Sequence, residues 1–134
     1  METENTCNDF GFDFSDYITR NNRRRSDGVI FTKDSFKSCD GTTVPILYDH
    51  DFHTVIGHAV LENREDGVYA YCTFYHGYVM GRVAAKAVFD PNEVRLSFRA
   101  YQVDREDDMI ISGRIRTVHI TPTSDCFTYL DKEV

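Results

Sequence analysis

Several features that mark common protein classes are missing from this sequence. Its four cysteines, Cys7, Cys39, Cys72 and Cys126, include no CxxC pair, which disfavours a zinc ribbon or a thioredoxin-like motif. No apolar segment precedes a cleavage-site pattern near the N-terminus, and no run approaches the roughly 18 apolar residues of a transmembrane helix. These absences predict a cytosolic protein with reduced thiols and no membrane span.

Positive charge is scarce as well. The chain has 15 Lys and Arg against 22 Asp and Glu, and its formal net charge is −7 at pH 7. This balance argues against general binding to nucleic acid, which requires an excess or a patch of basic residues. One basic run, RNNRRR at 20–25, lies in a polar segment without sustained periodicity. We interpret residues 1–27 as a flexible N-terminal arm and residues 28–134 as one domain.

The hydrophobic pattern predicts an α+β fold. One helix is expected at 78–89, where apolar residues form a stripe that the sequence DPNE terminates. Short β-rich runs, several of them with alternating apolar and polar residues, predict about seven strands. These strands are expected at 28–33, 44–48, 54–61, 68–75, 93–103, 109–121 and 126–130. A small, mostly antiparallel, partly closed β-barrel with one packed central helix accommodates this number of strands and leaves few exposed edges.

The segment ILYDHDFHTVIGHAVL, residues 46–61, contains three histidines and two aspartates. On a strand, His50 and His53 would point to opposite faces because they are three residues apart. No HExxH motif or Cys/His framework supplies a metal site, so we expect neither a metal nor a cofactor. His53 and His58 are interpreted as structural residues.

A candidate nucleophile lies in EVRLSFRA, residues 93–100. Alternation places Arg95, Ser97 and Arg99 on one face of the strand and the apolar residues on the other. A serine becomes a nucleophile only with a base in hydrogen-bond reach, which a third group orients. The chain offers five histidines for these roles, among them His119 in RTVHITPTS.

Read in order, these elements resemble the tailed-phage prohead (head maturation) serine proteases, which are related in fold to the herpesvirus assembly proteases. The resemblance runs from about residue 28 to 124. It rests on HD followed by VIG in the histidine-rich segment, on LSF, and on the final strand that ends in a turn with proline.

The resemblance implies the site residues. It makes His50 the general base and Ser97 the nucleophile. The family's last strand often carries a glutamate where this chain reads TVHIT, so His119 is expected as the third catalytic member, as in the herpesvirus enzymes. Alternatives for this role are Asp49, Asp51 and Glu93. Besides backbone N–H groups, oxyanion or substrate contacts are expected from Arg95, Arg99 and Arg114.

The resemblance also implies a function. The expected substrates are the phage scaffold protein and the arms of the major capsid protein, cleaved inside the assembling procapsid in the cytoplasm of the bacterial host. The herpesvirus relatives act as dimers, so a homodimer or higher oligomer is consistent with it. Two alternatives remain: a catalytically degenerate relative that binds capsid or scaffold as an assembly factor, and an unrelated β-barrel binding module.

Overall fold

The computed structural model describes residues 14–25, 27–48, 55–75, 94–122 and 129–130. The strands in these ranges form one sheet in the order β1-β4-β3-β2-β6-β5-β7. Neighbouring strands are antiparallel except in the pairs β2–β6 and β5–β7. The strands are β1 (Phe14–Tyr17), β2 (Thr43–Tyr48), β3 (Val55–Arg64), β4 (Gly67–Phe74), β5 (Val94–Glu106), β6 (Met109–Pro122) and β7 (Tyr129–Leu130).

The predicted α+β class with a packed central helix is wrong. Of the residues that the structure describes, 69% are in strands and 4% are helical, and the sheet is a half-barrel. Among the described residues, the helical element is a 3-10 turn at Lys37–Cys39. The segment predicted as the helix, 78–89, lies outside the described residues.

Three aromatic side chains pack together in the described core. Phe31 and Phe36, from the segment between β1 and β2, pack on Phe98 of β5 with ring centroids 5.3 to 5.9 Å apart. All three rings are fully buried. The segment between β1 and β2 therefore contributes two aromatic rings to the hydrophobic core.

The alternation of side chains correctly predicts the two faces of the strands at the centre of the sheet. On β4 the buried side is formed by Val68, Ala70, Cys72 and Phe74, while the intervening residues are half-buried. The same alternation holds along most of β3. A period of two therefore identifies the core face of these strands.

The sheet begins inside the region predicted to be a flexible arm. β1 pairs with β4 from Phe14 opposite Cys72 to Tyr17 opposite Tyr69. Residues 28–33, predicted as the first strand, instead form isolated bridges, in which Ile30 contacts the start of β6. Residues 1–13 lie outside the described residues.

Candidate functional site

The long hairpin of β5 and β6 brings two of the predicted catalytic residues together. Ser97 on β5 is the direct cross-strand partner of His119 on β6. Directly opposed residues on one sheet face have Cβ atoms about 4.5–5.5 Å apart. These side chains share the face opposite the core, since Leu96 and Phe98 are buried in the hydrophobic cluster.

Ser97 is an unusual buried serine. Its side chain is 1% exposed, and its Oγ has no hydrogen-bond partner among the described residues. Leaving such a hydroxyl unsatisfied in a protein interior costs about 1–3 kcal/mol. Buried polar groups without partners are rare in folded proteins and call for an explanation. A hydroxyl kept for reaction with a substrate is one such explanation.

His119 is equally buried and is held by its own strand. Its side chain is 1% exposed, and Nε2 lies 2.9 Å from Oγ1 of Thr117. The two residues are two positions apart, so they lie on the same face of β6. On the other side, the parallel partner of His119 is Leu47 of β2, itself 4% exposed. The histidine therefore lies between Leu47 and Ser97 in one row across three strands.

The three predicted arginines divide between two places. Arg95 and Arg99 flank Ser97 on β5, and Arg99 pairs with Thr117. Arg114 pairs with Tyr101, four residues beyond Ser97 and thus roughly 13 Å along the strand. It lines a separate cleft of about 300 Å³, together with residues of β2 and of the 3-10 turn. The structure therefore brings Arg95 and Arg99, but not Arg114, to the Ser97 region.

Of the other predicted residues, most lie outside the described part of the chain. His50 and the alternatives Asp49, Asp51 and Glu93 lie outside the described residues, as do His53 and His76. His58 is half-buried on β3, and its ring centroid lies 5.9 Å from that of Tyr75.

Sequence reasoning missed a second feature of this region. Arg95 also lines a cleft of about 390 Å³ together with four arginines of the basic run. About 70 residues separate the run from Arg95, and nothing local in either segment signals the contact. The sequence analysis assigned the basic run to a flexible arm and Arg95 to the predicted catalytic site, whereas in the fold these arginines line one cavity.

Within the described ranges, no three His, Cys, Asp or Glu side chains cluster closely enough to hold a metal ion. None of the described segments forms a helix of the length and hydropathy needed to cross a bilayer. Comparison with protein-family models, curated proteins and solved structures found no match. The chemistry of the β5–β6 face is therefore the basis for assigning a function.

Proposed function

We propose that this protein is a serine endopeptidase of phage head maturation in which Ser97 is the nucleophile. The observation that carries the proposal is the buried Ser97 Oγ without a hydrogen-bond partner among the described residues, directly opposite His119. The resemblance of the HD, VIG and LSF elements to the prohead proteases supplies the substrate class, which is scaffold protein and capsid-protein arms. The reaction would take place in the assembling procapsid, within the bacterial host.

In the proposed reaction, His50 removes the Ser97 proton as Oγ attacks the peptide carbonyl, and then donates it to the leaving amine. His119 orients His50 by accepting a hydrogen bond from its ring N–H. For this it needs an unprotonated Nδ1, so Nε2 must carry the proton. The contact between Nε2 and Thr117 Oγ1 is compatible with that tautomer, because a threonine hydroxyl can accept a hydrogen bond as well as donate one. Thr117 thereby acts as a positioning residue.

Charge stabilisation of the oxyanion would come from backbone N–H groups and from the arginines beside Ser97. Arg99 is half-buried. Arg95, on the other side of Ser97 along the same strand face, is exposed. A donor aimed at the developing oxyanion is typically worth about 3–4 kcal/mol of barrier. Arg99 is the better placed of the two for this role, since partial burial strengthens its interaction with an anion.

A second function keeps the fold without the chemistry: a degenerate relative that binds capsid or scaffold protein during assembly. Two observations favour it. Ser97 is only 1% exposed, so a peptide carbonyl reaches it only if neighbouring groups move. Thr117 and His119 stand in the strand where prohead proteases often carry a glutamate, and a neutral imidazole stabilises an imidazolium less than a carboxylate does.

Co-expression with the major capsid protein of the same phage separates the two functions. Mass spectrometry would compare the capsid products of the wild type, Ser97→Ala and His50→Ala, with Ser112→Ala as the matched control at an exposed serine of β6. The endopeptidase predicts capsid arms removed by the wild type and the control, and intact arms with the other two. Identical products from all four proteins would refute the endopeptidase, and co-purification with intact capsid protein would then support the assembly factor.

A further inference from the structure

The basic run and the start of β5 form one strongly charged cavity, which we call the arginine cleft. It has a volume of about 390 Å³, and its walls include one acidic residue, Asp16. The buried side chains of Ile18, Phe31 and Leu96 form part of its lining. The five basic residues are Arg20, Arg23, Arg24, Arg25 and Arg95.

Acidic neighbours compensate some of these arginines. Arg24 pairs with Asp108 at 2.9 Å, and Arg25 pairs with Asp27 at 3.2 Å. Arg20 is 3.8 Å from an oxygen of Asp66 and stacks on the ring of Tyr17 at 3.8 Å.

Arg23 and Arg95, in contrast, form no ion pair or side-chain hydrogen bond within the described part of the chain. Two uncompensated guanidinium groups thus line one small cavity in a protein whose net charge is −7. Like charges gathered in this way repel one another unless a counter-charge is bound.

The backbone that carries the arginines is fixed from both sides. The Asn21 amide bonds the carbonyl of Asp66 at 2.8 Å, and the Asn22 amide bonds the carbonyl of Phe31 at 2.7 Å. Further along, the Arg25 amide bonds the carbonyl of Val29 at 2.9 Å. Because these bonds hold the run against the rest of the domain, the cleft needs little reorganisation to receive a ligand.

We propose that the arginine cleft binds a small molecule that carries a di- or triphosphate group. Guanidinium groups make paired, charge-assisted hydrogen bonds to phosphate oxygens, and successive phosphates would contact several arginines at once. The volume falls in the range of small-ligand sites, about 300–1,000 Å³. Surrounding acids, among them Asp16, Asp66 and Asp108, restrict the positive potential to the cavity, which disfavours a long nucleic acid.

Isothermal titration calorimetry with inorganic pyrophosphate and tripolyphosphate tests this site. The full chain should bind one anion, more tightly with tripolyphosphate. Arg23→Gln and Arg95→Gln should each weaken binding about tenfold or more, because each removes a charge-assisted hydrogen bond. Arg116→Gln is the matched control: it makes the same charge change at an exposed β6 residue outside the cleft and should bind as the wild type does.

Several outcomes would overturn the proposal. These are no measurable binding of either anion, equal weakening in all three variants, and tighter binding of a glutamate-rich peptide or of duplex DNA than of tripolyphosphate. A nucleoside diphosphate in a parallel titration identifies the source of the phosphate. If the nucleoside diphosphate binds more tightly than pyrophosphate, the ligand is a nucleotide. If the two bind equally, the cleft recognises phosphate alone. Circular dichroism checks the fold of each variant. Because Arg23 and Arg95 form no ion pair or side-chain hydrogen bond within the described part of the chain, their substitution should leave folding unaffected.

Discussion

Two buried serines allow a direct test of how the Ser97 hydroxyl is accommodated. Ser97 and Ser35 are both 1% exposed. Oγ of Ser35 accepts a hydrogen bond from the Thr32 amide at 2.8 Å and donates one to the Ile110 carbonyl at 2.6 Å, whereas Oγ of Ser97 has no partner among the described residues. The same substitution, serine to alanine, should therefore have opposite effects at the two sites.

The expected magnitudes follow from hydrogen-bond energetics. Ser97→Ala removes a desolvated hydroxyl that gains nothing in return, so it should raise the free energy of unfolding by about 1 kcal/mol. Ser35→Ala leaves the Thr32 amide and the Ile110 carbonyl without their partner, and should lower it by about 2 kcal/mol. For a domain of this size, 1 kcal/mol corresponds to roughly 3–5 °C in Tm. The two variants should differ by roughly 10 °C.

Thermal unfolding followed by circular dichroism, with urea denaturation as a second measure, gives both values. The reasoning is refuted if Ser97→Ala is destabilised as strongly as Ser35→Ala, because the Ser97 hydroxyl would then have a partner in the folded protein. A stable Ser97→Ala protein would also ensure that any loss of capsid cleavage reflects chemistry rather than unfolding.

Three other parts of the fold give testable predictions. Gly57→Ala should lower the free energy of unfolding in urea by about 1–3 kcal/mol, because the new methyl group would overlap the backbone carbonyl oxygen of Thr73. The Cys39 thiol should resist alkylation in the folded protein at mildly alkaline pH, as measured by mass spectrometry, because burial raises its pKa to about 12. Glu62→Gln should make the decrease in Tm on acidification smaller. Hydrogen bonding to Arg64 holds the pKa of the Glu62 carboxyl below its usual range. The wild type therefore has a stabilisation that is present above the ordinary pKa of the carboxyl and is lost as the pH falls through its lowered pKa.

Each of these has its own control. An unchanged urea midpoint for Gly57→Ala would show that β3 and β4 separate at little cost. The alkylation test uses a Cys7→Ser/Cys126→Ser protein, in which labelling of Cys39 at equal rates with and without urea would contradict its burial. For the dependence of Tm on pH, the control is Glu106→Gln at the exposed end of β5, which should behave as the wild type. If Glu62→Gln gives the same profile as the wild type and this control, the Glu62–Arg64 interaction does not cause the decrease in Tm on acidification.

The sequence was informative where one face of a strand packs in the hydrophobic core and the other face carries polar residues. The period of two located β3 to β6 and placed Ser97 opposite the core, because burial on one side of a strand leaves a direct trace in residue order. The strand at 28–33 rested on a short apolar run, which periodicity alone does not assign. Phe31, read as a strand residue, instead fills the core from a segment of bridges and turns.

The candidate site shows the limit of residue order more clearly. The apposition of Ser97 and His119 depends on the register of two strands with an irregularity between Arg99 and Ala100, and register is set by the whole sheet rather than by either segment. The meeting of Arg95 with the basic run depends likewise on packing across the domain. Residue types pointed to the chemistry, but their spatial partners could be read only from the fold.

The position of β1 bears on any shortened form of the protein. β1 covers one side of β4, and beyond it the Ile18 amide and the Thr19 hydroxyl bond the backbone of Val68 at 2.8 Å each. A chain that begins at Gly28 would lose all of these contacts and leave β4 with a bare row of amides and carbonyls. Such edges recruit strands from other molecules, so removing the polar N-terminus should create a self-associating, aggregation-prone protein.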